Sequence, residues 1–151
     1  MMKENKPKSI RIIGIVLAVL SVLAVVSNLL GLLMFENITE GGNSTEDIPY
    51  YAQSLAYIKP IAIISAVLAS GLLIAGIFIT RYKNWARLLA QIVATVYLLF
   101  FWYLSIFIAP FNSFDKGEFG IEQLIGMLVW TVPVVFLIMY LNRENIKNHF
   151  A

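Results

Sequence analysis

Glu122 is the one carboxylate inside any of the long apolar runs of this 151-residue chain. An ionisable group held in hydrocarbon is a vehicle for proton or ion coupling. Its position also fits a plainer role. One residue into its run, it reaches headgroup water and favours the positive end of a helix dipole. Other polar groups in the runs include Asn28, Gln91, Thr95, Thr131 and a few serines. They can hydrogen-bond between helices, at about 0.6 kcal/mol per bond on average, or touch a polar solute. Asn28 sits toward one end of its run and Gln91 toward the opposite end of another, so the two are not expected to meet. Pro133 lacks a backbone donor, frees the carbonyl of Val129 and predicts a kink, with Thr131 close enough to help satisfy that carbonyl. Such a kink reads either as a hinge or as packing geometry.

Other chemistries find no residues to carry them. The chain has no cysteine, which excludes disulfides, thiolate metal sites and cysteine nucleophiles. Its single histidine, His149, lies near the C-terminal end, leaving no paired-histidine metal site and no histidine-based triad. No glycine-rich phosphate loop is present. The reading is a non-enzyme with no catalytic residue, cofactor or metal, and with no nucleic acid among its partners.

The elements that would position these residues are four apolar runs at 12–35, 61–80, 88–109 and 121–141. At about 1.5 Å of rise per residue, roughly 20 residues cross a hydrocarbon core about 30 Å thick. The first three runs contain no Asp, Glu, Lys or Arg. With 60% hydrophobic and 13% charged residues, the composition lies far from that of soluble domains, about a quarter of whose residues are charged. The expectation is a single all-α integral membrane domain over 1–151. Short links predict a four-helix up-down bundle.

Nine of the eleven basic residues fall before the first run, between the second and third, or after the fourth. The opposite side carries Lys59 and Lys116 among Glu36, Glu40, Glu46, Asp47, Asp115 and Glu118. The excess of Lys and Arg in short cytoplasmic loops places both termini in the cytoplasm, in a multi-pass protein of the cell membrane. The basic residues at Lys3–Arg11 also suit a cleaved leader. The first run exceeds the roughly 7 to 15 residues of a signal core, however, and no small-x-small site closes it, so it reads as a span.

The first external connection has two parts. Residues 36–47, with Gly41 and Gly42, read as a flexible loop bearing two glycosylation sequons at Asn37 and Asn43. Residues 48–58 have helical spacing at Ile48, Tyr51, Ala52, Leu55 and Ile58, with Asp47 as N-cap. They read as an interfacial helix carrying Tyr50, Tyr51 and Tyr57, or as an outward extension of the second span with Pro60 as a kink. The second outer link, 110–120, has Pro and Gly at its ends and three phenylalanines. Small residues form stripes at Gly14, Ala18, Ser21, Ala24, Ser27 and Gly31; at Ala62, Ala66 and Ser70; and at Ala86, Ala90 and Ala94. In lipid, such stripes let helix backbones approach, within the bundle or in a homo-oligomer. The aromatic residues from Tyr97 to Phe107 read as a belt or as the lining of a cavity.

The turn RYKNWARLLA at 81–90 resembles turns in small four-span prokaryotic membrane proteins of uncharacterised function, and the resemblance implies no activity or site. The chain differs from the small multidrug exporters, which carry a glutamate in the middle of the first helix. The functional expectation is an accessory, immunity-like or assembly factor that binds a membrane partner in the lipid bilayer. The alternative is a small transporter or channel for an apolar or weakly polar solute.

Overall fold

The computed structural model describes residues 7–40, 49–108 and 121–150. Among these residues every regular element is helical: α1 (Lys8–Glu40), α2 (Pro49–Ile79), α3 (Asn84–Tyr103) followed by a π-helical turn (Leu104–Ile108), α4 (Ile121–Asn142) and the short α5 (Glu144–Lys147). Four of these helices are long and apolar enough to cross a membrane, over Lys8–Met34, Tyr57–Ile79, Asn84–Phe107 and Leu124–Asn142. Uninterrupted helix is what hydrocarbon demands, because it satisfies backbone donors and acceptors without water.

One boundary differs from the sequence reading, and at a second the structure takes one of the two readings left open. Helix α1 continues past Phe35 to Glu40, so 36–40 are not loop. No Gly or Pro interrupts 36–40, whereas Gly41 and Gly42, which lie outside the described residues, would break a helix. Helix α2 runs unbroken from Pro49 through Pro60, so 49–58 extend the second helix instead of forming a separate element. A proline inside a helix forfeits one backbone bond and bends the axis without having to end it. Asn43, Asp47, Ile48 and the link at 110–120 also lie outside the described residues.

Helix α2 ends in a tight turn. Lys83 N–H donates to Phe78 O and Tyr82 N–H to Ile79 O, the paired bonds of a Schellman cap, with Tyr82 in the left-handed region at φ 58°. Glycine is the usual residue there, since an L side chain costs about 1–2 kcal/mol. Tyr82 has compensating contacts: its hydroxyl donates to Pro7 O at 3.2 Å and its ring packs 6.3 Å from that of Phe150.

Helices adjacent in sequence pack on one another. The tightest approach joins α1 and α2, where a Cβ on Gly14 would stand 2.8 Å from Gly76 O, and one on Gly76 would stand 2.8 Å from Ala18 N. The buried core gathers at one end of the molecule. There the beginning of α1 (Ile10), the end of α2 (Ala75, Ile79), the beginning of α3 (Ala86, Ala90), the end of α4 (Leu141) and α5 (Ile146) form one cluster. Elsewhere each long helix exposes many large aliphatic side chains, as expected of surfaces solvated by lipid.

Candidate functional site

The intramembrane polar residues fall into two groups. In the first, the side chain bonds its own helix one turn back. Ser21 Oγ donates to Leu17 O at 2.7 Å, Asn28 Nδ2 to Ala24 O at 2.7 Å, Ser70 Oγ to Ala66 O at 2.8 Å and Thr95 Oγ1 to Gln91 O at 2.8 Å. This local bonding satisfies the donor without a neighbouring helix.

The second group links helices. Gln91 Nε2 donates to Asn142 Oδ1 at 3.1 Å, tying α3 to the end of α4. Trp102 Nε1 donates to Thr131 Oγ1 at 3.0 Å, and the same hydroxyl donates to Met127 O at 2.6 Å. Thr131 therefore serves Met127 and Trp102, and not the Val129 carbonyl freed by Pro133. Pro133 lies within the continuous α4 with its side chain exposed. Asn28 and Gln91 are not in contact through hydrogen bonds. The side chain of Glu122 lies outside the described residues.

The small-residue stripes divide likewise. Gly14 and Ala18 meet Gly76 at the α1–α2 crossing, and Ser21 is buried on the same side. Ala90 and Ala94 are buried on α3 together with Ala86. On α2 the fully packed face is Ala62, Ser65, Ala69, Ala75 and Gly76, whereas Ala66 and Ser70 are half-buried. Those two line an open apolar groove of about 410 Å³ with Ile63 of α2 and Val25, Leu29 and Leu32 of α1. The groove lies between α1 and α2, beyond the Ile10–Ile79 cluster along both helices. No aromatic residue of α3 lines it. Trp102, Tyr103 and Phe107 are exposed instead, with the Tyr103 and Phe107 rings packed at a tilt 5.1 Å apart.

Arg87 is the residue that the sequence concealed most. Assigned to the water phase by its charge, it is only 4% exposed. Its Nε donates to Asn84 Oδ1 at 3.2 Å, its Nη1 donates to Leu141 O at 3.3 Å, and its guanidinium lies 5.9 Å from the Phe150 ring centroid. A cation at the carbonyl end of α4 is favoured by the helix dipole. One signal was available, because Arg87 stands three residues before Ala90 and shares the face of the Ala86–Ala90–Ala94 stripe. Asn142 could be reached only through the fold.

No side-chain donor or acceptor buried among the described residues lacks a hydrogen-bond partner. The described residues also hold no cluster of His, Asp or Glu suited to a metal. What the arrangement offers is surface: an apolar groove between two closely crossed helices at one end, and a polar clasp with a basic exterior at the other. In comparisons with known proteins, no family model, no curated protein and no solved structure matches this chain.

Proposed function

We infer that this chain is a small multi-pass protein of the cell membrane, an up-down four-helix bundle with both termini in the cytoplasm. It works without catalysis, as an accessory, immunity-like or assembly factor that binds a transmembrane segment of another membrane protein. The observation that carries this reading is the α1–α2 groove. Its lining is aliphatic but for Ser70, it is small at Ala66 and Ser70, and its one polar side chain, Ser70, is already bonded within its own helix. Small residues at a helix interface admit close backbone approach, which is how helices associate where the hydrophobic effect is absent. The charge bias and the turn's resemblance to those of small four-span prokaryotic proteins support the orientation and the class.

The test is isolation from the native membrane in lipid nanodiscs, followed by native mass spectrometry. A second protein at fixed stoichiometry, lost on Ala66→Phe, is the expected result. Recovery of the chain alone or only with copies of itself overturns the heteromeric reading.

A second reading, a conduit for an apolar or weakly polar solute, draws on the π-helical turn of α3 and on Pro133 of α4, two irregular segments near the Trp102–Thr131 bond. π-helical turns and prolines are points where helices bend. Solute flux through reconstituted protein tests it, and flux unchanged by Glu122→Gln removes its proton-coupled form.

A further inference from the structure

Six exposed cations crowd one end of the molecule: Lys8 and Arg11 on the first turn of α1, Arg81 and Lys83 in the α2–α3 turn, and Arg143 and Lys147 flanking and ending α5. Three ties fix the segments that carry them. Ile10 packs into the cluster with Ile79, Ala86 and Leu141, the Tyr82 hydroxyl donates to Pro7 O, and the Tyr140 hydroxyl bonds Ser9 Oγ at 2.6 Å. Glu144 is the one carboxylate among the described residues at this end, and no described carboxylate is paired with any of the six.

Orientation by itself does not call for this arrangement, because the charge bias depends on how many Lys and Arg residues a loop holds, not on the segments that carry them being packed together. Like charges on a packed platform repel, and an anion seated among them relieves the repulsion. The depth of the platform is set by Trp85, which is 46% exposed and packs at a tilt 4.8 Å from Phe78, while the Arg81 guanidinium lies 5.4 Å from the same Phe78 ring. Tryptophan settles at the headgroup level of a bilayer, so the neighbouring guanidinium stands at the depth of lipid phosphates.

We propose that this basic collar binds the phosphate headgroups of anionic phospholipids, with Arg81 and Lys83 of the turn as the primary contacts and Lys8 and Arg11 completing the surface. Guanidinium presents two parallel donors to a phosphate, while lysine adds a point charge. The proposal is independent of the groove and stands whether or not a protein partner exists.

The test uses the full chain purified into micelles containing equal amounts of phosphatidylcholine and phosphatidylglycerol, with bound lipids counted by native mass spectrometry. Phosphatidylglycerol is expected to be retained preferentially, and the preference is expected to fall as ammonium acetate is raised, because salt screens exposed charge. Each neutralised cation should weaken retention roughly fivefold. Lys8→Gln/Arg11→Gln/Arg81→Gln/Lys83→Gln together should therefore abolish the preference, and Lys59→Gln should preserve it. Equal retention of the two lipids by the unaltered chain overturns the proposal even if the fourfold variant fails to fold. A preference insensitive to salt overturns it too, as does a folded fourfold variant that keeps the preference. Displacement of the lipid by inorganic phosphate at an ionic strength where acetate leaves it bound would assign the collar to free anions instead and overturn the lipid assignment.

Discussion

Burying the Arg87 guanidinium removes its hydration, and three contacts offset that cost: the Asn84 side chain, the Leu141 carbonyl and the face of Phe150. Arg87→Met retains most of the aliphatic stem and loses every donor. It should destabilise the fold by about 1.5–3 kcal/mol, the range for hydrogen bonds to a charged group. Arg87→Lys should recover only part of this, because an ammonium does not present the planar fork that reaches Asn84 and Leu141 together. Unfolding by sodium dodecyl sulfate in mixed micelles measures both. A second contrast is set by glycine. Gly76 faces the backbone of Ala18 so closely that Gly76→Val must part α1 from α2, with an expected loss of about 1–3 kcal/mol. Gly31 belongs to the same kind of stripe, yet a Cβ there meets nothing within 4 Å. Gly31→Ala should therefore leave the unfolding midpoint unchanged or raise it slightly, since alanine is the better helix former.

At the scale of elements, the four helices were legible because hydrocarbon thickness fixes a run length that the sequence displays directly. The helix ends were less legible. Glu36 to Glu40 are polar enough to suggest a loop, yet nothing in them prevents helix, and α1 takes them in. The turn after α2 was legible as a turn from its basic residues, but its left-handed position falls on Tyr82, where no glycine marked it. The π-helical turn at Leu104–Ile108 has no compositional sign, since its residues are as apolar as those of the helix before it. Polar residues in the runs were legible by type, while their partners depended on helix rotation. Gln91 finds Asn142 and Trp102 finds Thr131 only once α3 and α4 are docked. The Trp102–Thr131 bond should be measurable as a coupling. A double-mutant cycle of Trp102→Phe and Thr131→Val, read by the same detergent unfolding, should return about 0.6 kcal/mol, the average for such bonds between membrane helices. The value should stay small because Thr131 keeps its bond to Met127 when the indole is removed.

Taken whole, the molecule is fastened at its basic end. Ile10, Ile79 and Leu141 are fully buried there, in a cluster drawn from all four long helices. Toward the other end lies the open α1–α2 groove. This polarity matters for function because the groove would present its surface in the half of the bilayer away from the basic collar, and which leaflet that is depends on orientation. The absence of cysteine gives a background-free way to read it. Single cysteines introduced in place of Lys83 and Lys147, both exposed at the basic end, should stay unlabelled by a membrane-impermeant maleimide in intact cells and react after permeabilisation. A cysteine in place of Lys59, exposed on α2 near the N-terminal end of its apolar span, should react in intact cells. The opposite pattern would invert the topology, place the groove in the inner half of the bilayer and direct the search for a partner to proteins whose helices are exposed there. Labelling of all three sites in intact cells would mean that the basic and acidic ends are not separated by a membrane, and the four-span reading would fail with it.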